Sequence, residues 1–503
     1  MANKIKNIVI VGGGTAGWMT AAAISNSMGP KNYSITLVES AEIGTVGVGE
    51  ATIPPIKSFN NALKINEDEF IRETKATFKL GIQFNDWRHL GHSYFHPFGN
   101  VGVDMDGVSF MHHWLRWRDE GGSLDAFAFN PEYTAAMQSK FMRVTQEPGP
   151  KRLPDFHYAY QFDAGLYAKY LSDYAQIRGV KRVEGKVVEV GQNPETGYIE
   201  SLRLEDGALI QGDFFVDCSG FRGLLIEQTL NAGYCDWSQW LPVDRAVACP
   251  SENSVGDIVP YTKATAKRAG WQWSIPLQHR TGNGYVYCSD FASDDEAAQE
   301  LLSSLGGNSL AEPRVLKFKT GIRKKSWIKN CVAIGLSSGF LEPLESTSIH
   351  LVQRAIFKLL AAFPKDHMNE ILIERFNREM EAEFIDVKDF LIAHYVTSER
   401  TDSPFWEHVR SMRIPDSLSD KFELFRSRGE VMTTSDSLFQ EVSWFAVLHG
   451  QGVESRGYHP VADTISEDEL RLRFTKIRSG VQKRVASMPK HAEYLRQSGL
   501  MKG

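Results

Sequence analysis

The chain has 503 residues, of which 42% are hydrophobic and 23% are charged. This composition predicts a large buried core and excludes a disordered or fibrous protein. The 56 lysines and arginines are outnumbered by 62 aspartates and glutamates, so the chain lacks the basic surface expected of a nucleic-acid-binding protein.

Cysteine usage and the uncharged N-terminal segment both indicate a cytoplasmic protein. The five cysteines are scattered, odd in number and without a CxxC pair, which excludes a disulfide framework or a zinc ribbon. Residues 7–30 carry no charge, but Gly12, Gly13 and Gly14 interrupt the apolar run directly after Val11. Three early glycines do not fit a membrane helix or a signal peptide, so we expect no export or anchoring segment.

The N-terminal segment has the pattern of a strand, a glycine-rich turn, a helix and a second strand. A short β-branched run predicts a buried parallel strand over residues 6–11, and residues 15 to about 28 have the composition of a helix that packs on a sheet. A second strand is predicted over residues 34–39. Together these elements form a βαβ unit.

The turn of this unit predicts a dinucleotide site. In the GxGxxG pattern, the first glycine makes the tight turn, the second lets the backbone approach a pyrophosphate, and the third lets helix and strand pack closely. The pyrophosphate then lies at the helix N-terminus, and an acid at the end of the second strand binds the adenosine ribose. The residues expected to bind the cofactor are Gly12, Gly14, Thr15, Ala16, Gly17 and Glu39.

Later segments favour FAD over NAD. The small-residue loop at positions 45–52, with Gly49 and Ala51, suits contact with a large ring system. Two later strands end at residues 217–220 and 333–335, the second followed by Leu336, and such late returns to the cofactor are typical of FAD-binding folds. Each segment alone is equally explained as a glycine turn after a core strand.

The remaining pattern predicts an α/β protein. Period-2 alternation predicts strands over residues 182–190, 199–204 and 208–216, and further strands over 271–276 and 284–290. Beyond Thr347, apolar residues at a spacing of four predict helices. A helix is also predicted around residues 70–81.

We therefore predict an FAD-binding Rossmann-like (GxGxxG) body with mixed β-sheets and a mainly helical substrate-binding cap. The body is expected to comprise residues 1–90 and 155–365, and the cap residues 91–154 and 366–503. Both units are discontinuous, because no long linker or low-complexity tract divides the chain.

Several motifs in order resemble those of the flavin-dependent halogenases, the group that includes the tryptophan halogenases. The most specific is the WxWxIP segment, with Trp271, Trp273, Ile275 and Pro276. The others are GGGTAGW at residues 12–18, GVGEAT at 47–52, Phe78-Lys79, and EPLEST at 342–347. The similarity spans most of the first 350 residues and is weaker beyond them.

The resemblance implies a mechanism with two separated chambers. Reduced FAD from a separate flavin reductase reacts with O2 to give a flavin hydroperoxide, and chloride or bromide converts this to hypohalous acid. The acid then diffuses to the organic substrate. Trp271 and Trp273, with Ile275 and Pro276, are implied to stand between flavin and substrate. The pattern alone would assign the two tryptophans to an ordinary aromatic core.

The resemblance also implies a catalytic pair and a halide site. Lys79 would polarise hypohalous acid or form a haloamine, and Glu345 would orient the oxidant and accept the ring proton. By pattern alone, Lys79 lies on a solvated helical face and Glu345 is a helix-capping acid. Thr347 and Ser348 would bind halide through backbone N–H groups, although the family usually has glycine where Ser348 stands.

Substrate contacts match the family only in part. His96 and Phe98 match residues that sandwich the indole ring, and Phe439 is expected to replace a stacking tryptophan. The tyrosine pair and the glutamate that hold free tryptophan have no counterpart here, although Glu430 and Asp436 lie nearby. Indole or an indole derivative is therefore the expected substrate. The histidines near His96 lack supporting carboxylates or cysteines, so no metal is expected.

Two alternatives stay open at this point. A flavin monooxygenase would share the FAD segments but would need neither the tryptophan barrier nor Lys79. A non-catalytic flavin-fold protein would leave Lys79 and Glu345 unexplained. Neither nucleic acid nor membrane is expected as a partner, and a homodimer is allowed.

Overall fold

The computed structural model describes residues 5–29, 32–40, 49–144, 153–254 and 258–501. The β-sheets are built from 22 strands that lie between residues 7 and 340 of the described ranges. The strands are β1 (Asn7–Val11), β2 (Ser34–Glu39), β3 (Gly49–Ala51), β4 (Thr77–Lys79), β5 (Gly81–Asn85), β6 (Ser93–Pro97), β7 (Ala159–Asp163), β8 (Lys181–Glu184), β9 (Val187–Gln192), β10 (Ile199–Leu204), β11 (Leu209–Gln211), β12 (Phe214–Asp217), β13 (Tyr234–Asp236), β14 (Arg245–Ser251), β15 (Thr262–Lys267), β16 (Gly270–Pro276), β17 (Thr281–Tyr287), β18 (Arg314–Lys317), β19 (Gly321–Arg323), β20 (Trp327–Ile328), β21 (Cys331–Ala333) and β22 (Gly339–Phe340).

Helices dominate the chain after residue 347, as predicted. The α-helices are α1 (Thr15–Met28), α2 (Pro55–Ala62), α3 (Glu67–Glu73), α4 (Phe110–Asp119), α5 (Pro131–Met137), α6 (Ala164–Ile177), α7 (Asp294–Ser303), α8 (Ser348–Ala362), α9 (Glu370–Val396), α10 (Pro404–Ser411), α11 (Asp416–Arg428), α12 (Glu441–Gly450), α13 (Glu467–Ala486) and α14 (His491–Gln497). The stripe on α9 is buried at Phe376, Met380 and Phe384, whereas Leu372 at its start is only partly buried.

The N-terminal sheet has the strand order β20-β21-β12-β1-β2-β8. Its strands run parallel except at β20, which pairs antiparallel with β21. Helix α1 connects β1 to β2 and packs against α6 and α8. The predicted βαβ unit is confirmed, and the β12 and β21 ends lie beside the β1 end because parallel strands finish at one sheet edge.

A second, mainly antiparallel sheet carries the WxWxIP strand. Its order is β18-β14-β17-β16-β15-β5-β6, and only the β15–β5 pair is parallel. A third sheet, β3-β7-β4, lies next to it, and β4 leads directly into β5. The chain thus brings Lys79 at the end of β4 close to the edge strand β6, which carries His96.

The helix predicted around residues 70–81 is wrong beyond Glu73. Helix α3 ends there, and Lys75 adopts a left-handed φ of 53°, which no helix continues through. Residues 77–79 then pair as β4 with β7, with Lys79 opposite Ala159. Lys79 is fully buried, so the solvated face expected from the charge pattern does not exist.

Three predicted strands have different bounds in the structure. The run at 182–190 is divided at Gly185 into β8 and β9, and the run at 208–216 is divided between β11 and β12. The strand predicted over 284–290 is β17, which begins and ends three residues earlier. Sheet pairing, rather than local alternation, decides these ends.

The division into body and cap remains a prediction. One hydrophobic cluster contains Ile8 of β1 and Trp444 of α12, so both proposed units contribute to the same core. The C-terminal helix also contacts the proposed body, because Nε2 of His491 accepts a hydrogen bond from the backbone N–H of Phe78 at 3.1 Å.

All five cysteines are unpaired. Within the described ranges, no helix is both long enough and apolar enough to span a lipid bilayer. Nor do those ranges contain three or more His, Cys, Asp or Glu side chains grouped to hold a metal ion.

The glycine turn after β1 imposes two different requirements. Gly12 has a φ of 115°, and a Cβ there would overlap the backbone carbonyl of Cys218 at the end of β12. Gly14 has an ordinary φ of −75°, and a Cβ there would meet no atom within 4 Å. Gly12 is therefore required by the fold, whereas Gly14 keeps open the space in front of α1.

Alanine substitutions at Gly12 and Gly14 separate these requirements. In Gly12→Ala, the positive φ costs on the order of 1–3 kcal/mol and the overlap adds to it, so we expect a lower melting temperature even without FAD. Gly14→Ala should melt like the parent without FAD but bind FAD at least about tenfold more weakly, which corresponds to about 1.4 kcal/mol. Melting by fluorimetry and FAD titration test both. Unchanged FAD affinity in Gly14→Ala would contradict the predicted cofactor site.

Candidate active site

The N-terminus of α1, next to Gly14, has the properties of an anion-binding site. The helix has no side-chain cap and no acidic residue in its first turn, so its backbone N–H groups and dipole are available to an anion. Thr15, Ala16 and Gly17 form this first turn. Gly335, after β21, lies against Ala16, and Leu336 follows in the 3₁₀ turn Gly335–Ser337.

Glu39 lies at the edge of the same turn. Its carboxylate occupies the space where Gly13 would carry a side chain, and Arg182 of β8 forms an ion pair with it. The indole N–H of Trp18 also donates to Glu39 Oε2 at 3.4 Å. An acid held at this place fits a ribose hydroxyl next to a pyrophosphate, so the residues present fit a dinucleotide.

The second cofactor loop is described only at its end. Residues 45–48 lie outside the described ranges, but Gly49 and Ala51 belong to β3. The backbone of Gly49 packs against Gly282 of β17, next to the WxWxIP strand. This arrangement joins the loop to the predicted barrier.

The two tryptophans of β16 form one buried aromatic block. Trp271 and Trp273 have exposed fractions of 1% and 8%, and their ring centroids are 6.2 Å apart. Ile275 and Pro276 continue the strand, and the Pro276 carbonyl accepts a hydrogen bond from the Thr77 hydroxyl of β4 at 2.7 Å. Strand β16 is therefore hydrogen-bonded to β4, the strand that carries Lys79.

Glu342 binds Trp271, one of the two tryptophans of β16, and was not among the site residues predicted from the sequence. Its Oε2 accepts hydrogen bonds from Trp271 Nε1 at 2.6 Å and from the Tyr395 hydroxyl at 2.7 Å. Burial raises the pKa of Glu342 to about 7. The EPLEST motif contained this residue, but nothing in the pattern indicated its partners.

Lys79 is enclosed by protein. Its Nζ donates to the Ser346 hydroxyl at 2.8 Å and lies 5.4 Å from the centroid of the Phe98 ring. Burial lowers the pKa of Lys79 to about 7, although the charge of Glu345 opposes this shift.

Ser346 is a second residue that the sequence analysis missed. It adopts a left-handed φ of 60°, which is uncommon for a residue other than glycine. Such strain persists only where the surroundings determine the conformation, and here the hydroxyl is held by Lys79.

Glu345 is a buried carboxylate of the site, with 1% of its surface exposed. His96 Nδ1 of β6 lies 3.0 Å from each Glu345 oxygen, and His394 Nε2 of α9 lies 2.9 Å from Oε1. Burial acts to raise the pKa of Glu345, but the two histidines outweigh it and hold the pKa at about 2. Glu345 is thus a carboxylate and does not cap α8; it acts on Lys79 through its charge.

The two residues of the predicted halide site lie at the start of α8. Thr347 precedes the helix without a side-chain cap, and Ser348 is its first residue. The Thr347 hydroxyl is buried without a hydrogen-bond partner among the described residues. Backbone N–H groups and a helix dipole at this point suit an anion.

An aromatic cluster packs next to His96, one of the partners of Glu345. Phe439 stacks on Phe390 of α9 with centroids 3.8 Å apart, and His96 lies 6.3 Å from Phe439. Trp444 of α12 approaches Phe390 edge-on at 4.9 Å. The sequence indicated His96, Phe98 and Phe439, whereas Phe390 and Trp444 gave no signal beyond their apolar helical spacing.

Three acids that are close in sequence to Phe439 and Trp444 interact with other side chains. Glu430 forms an ion pair with Arg428 at 2.8 Å, and the charge of Asp436 acts on Arg354. Glu441, at the start of α12, lies 3.7 Å from His112, and burial raises the pKa of Glu441 to about 7.

Comparison with known proteins identifies the family. The family model described as tryptophan halogenase matches residues 7–467. Tryptophan 6-halogenase SttH from Streptomyces toxytricini is 36% identical over 522 aligned residues, covering 98% of each protein. The solved structure of Xcc4156, a flavin-dependent halogenase from Xanthomonas campestris, is 46% identical, with a TM-score of 0.94 and 98% of each chain covered. BrvH, a flavin-dependent halogenase from Brevundimonas sp. BAL3, is 43% identical, with a TM-score of 0.94 and 99% of each chain covered.

These matches agree with the motif order and with the architecture described above. They confirm the predicted class, an FAD-binding Rossmann-like α/β fold, and they remove the non-catalytic alternative. The chain belongs to the tryptophan halogenase family and is a flavin-dependent halogenase.

Proposed function

We propose that this enzyme uses reduced FAD, O2 and chloride or bromide to halogenate an electron-rich aromatic compound, indole or an indole derivative. The observation that carries the proposal is a fully buried Lys79, coupled to the Glu345 carboxylate and facing the Phe98 ring. A regioselective electrophilic substitution requires a cation, a base and an aromatic contact surface held close together and away from water.

The cofactor would be held by the turn before α1, Glu39, the end of β3 and the Gly335 turn. When bound and reduced, FAD supplies the electrons that convert O2 and halide into hypohalous acid. We also propose a separate flavin reductase, because the sequence has a single GxGxxG turn. Thr347 and Ser348 would bind the halide at the start of α8.

Trp271, Trp273, Ile275 and Pro276 would separate the flavin from the organic substrate. Rigid indole rings fill the space, so only a small neutral molecule passes. Glu342 supports this role because its hydrogen bond fixes the orientation of the Trp271 ring.

Lys79 would act as an ammonium that hydrogen-bonds the oxygen of hypohalous acid. The aromatic face of Phe98 favours the charged form over a haloamine. In the reaction, a ring carbon forms a bond to the halogen while the halogen–oxygen bond breaks, and the released hydroxide takes a proton from Lys79 to become water. Glu345 accepts the proton lost from the ring.

His96, Phe98 and Phe439 would contact the substrate ring. The engagement of Glu430 with Arg428 supports a substrate without a free ammonium group.

A flavin monooxygenase is the second candidate, and it is less favoured. It would share the cofactor residues, but direct oxygen transfer requires contact between substrate and flavin. The buried tryptophan block and Lys79 have no role in such a reaction.

We further propose that the enzyme works in the cytoplasm, where its five unpaired cysteines stay reduced. The body of residues 1–90 and 155–365 would bind FAD, and the cap of residues 91–154 and 366–503 would bind the substrate. A homodimer is compatible with both assignments.

Lys79→Met tests the catalytic cation. We expect halogenation of indole to fall by about 10²–10⁴, because the proton donor is lost, while oxidation of reduced FAD continues. Purified enzyme, flavin reductase, FAD, NADH, bromide and indole are combined, and mass spectrometry follows the bromine isotope doublet. Lys169→Met is the matched control, since 72% of that side chain is exposed. Hydroxylated product that is insensitive to bromide would instead support the monooxygenase.

Glu342 variants test the barrier. Glu342→Gln keeps an uncharged acceptor for Trp271 and Tyr395, so halogenated product per flavin oxidised should stay within about twofold of the parent. Glu342→Ala leaves the Trp271 N–H without its acceptor, so this yield should fall about tenfold as hydrogen peroxide and hydroxylated product increase. Equal yields in the two variants would show that Glu342 does not position the barrier.

Indole and L-tryptophan test the substrate assignment. We expect kcat/KM for indole to exceed that for tryptophan by about tenfold or more, because Glu430 is already paired with Arg428 and does not compensate the desolvated ammonium of tryptophan, a cost of about 1–3 kcal/mol. Steady-state bromination of both compounds under one condition gives the ratio. A much higher kcat/KM for tryptophan refutes the assignment but leaves the halogenase function intact.

A further inference from the structure

The two ring nitrogens of His394 contact two groups that are both expected to accept hydrogen bonds. Nδ1 lies 2.8 Å from the backbone carbonyl of Phe390, and Nε2 lies 2.9 Å from Glu345 Oε1. A carbonyl oxygen only accepts, so Nδ1 must carry a hydrogen. In a neutral ring, Nε2 would then present a lone pair to a carboxylate oxygen, which is repulsive at this distance.

A single additional proton removes this conflict. It lies between Nε2 and Oε1, so the pair holds one proton more than a neutral histidine and a carboxylate. Solvent cannot take over the role of this proton by donating to Nε2, because the His394 ring has no exposed surface. The ring packs against Phe84, Trp87 and Phe390. The charge-assisted contact also compensates for the burial of both groups.

His491 shows the opposite arrangement in the same chain. Its Nδ1 lies 2.9 Å from the Ile258 carbonyl, but its Nε2 accepts a hydrogen bond from the Phe78 N–H. One carbonyl and one N–H satisfy a neutral ring. Burial lowers the pKa of His491 to about 4, in agreement with a neutral side chain at neutral pH.

Other titratable groups around Glu345 do not replace this proton. His96 and Tyr94 come from β6 and Lys79 from β4. His96 Nδ1 already donates to Glu345, Lys79 donates to Ser346, and burial together with Glu345 raises the pKa of Tyr94, which stays neutral. From the loop after α12, Gln451 donates to the His394 carbonyl and not to the ring.

We propose that His394 is held as an imidazolium against Glu345, and that this proton keeps Glu345 ionised opposite Lys79. His394 is a positioning residue, because it acts through Glu345. Oε1 is occupied by His394 and His96, whereas Oε2 has His96 alone, so Oε2 is the oxygen left to accept the ring proton. Only this last consequence rests on the proposed function.

The proton can be observed in the resting protein without any reaction. In enzyme labelled with ¹⁵N at histidine, we expect two ring N–H signals for His394 from about pH 6 to 8, since its partner stays ionised, and one for His491. Loss of the signals in His394→Asn assigns them. In Glu345→Gln, the carboxamide donates to Nε2, so one signal should disappear. A single N–H on His394 in the parent protein overturns the proposal.

The pH profile of bromination provides a second measurement. In His394→Asn, burial of Glu345 is no longer offset by an imidazolium, so activity should decline at the acid end at a pH about one unit or more higher than in the parent. A variant that only loses packing would lower kcat at all pH values equally, and that result also overturns the proposal. Absence of halogenation in the parent would instead refute the proposed function and leave the resonance result valid.

Discussion

A carboxylate buried at position 345 is the constraint on which the site depends. An ion in a low-dielectric interior is stable only with charged or hydrogen-bonding partners, and Glu345 obtains them from β6 and from α9. Those two elements belong to parts of the chain separated by some 300 residues. The Glu345 carboxylate therefore connects helix α9 to the sheet that contains β6. Lys79 then lies in the field of this carboxylate, which partly offsets the cost of its burial.

The six residues 342–347 connect the two sides of the site. Glu342 contacts Trp271, Glu345 contacts the two histidines, Ser346 contacts Lys79, and Thr347 directly precedes α8. Successive side chains of the motif therefore contact different parts of the site. The 3₁₀ turn Pro343–Glu345 and the left-handed Ser346 produce these changes of direction within a few residues.

The sequence predicted the elements whose signals are local. The glycine turn, α1 and β2 follow from spacing alone, and the halogenase motifs named Lys79 and Glu345 without their surroundings. The helix assigned to Lys79 was wrong because charge spacing carried no information about the left-handed Lys75 or the pairing of β4 with β7. His394, Phe390 and Glu342 were missed because their roles arise from contacts between distant segments, which no local periodicity records.

One hydrogen bond connects β4, the strand that contains Lys79, to the C-terminal helix α14. His491 in the C-terminal helix binds the backbone directly before Lys79, across 413 residues, and Phe78 itself stacks on Phe141 at 4.0 Å. The active site is thus not a module that an N-terminal fragment could retain. Shortening the protein from its C-terminus would therefore remove a hydrogen bond to the backbone next to Lys79.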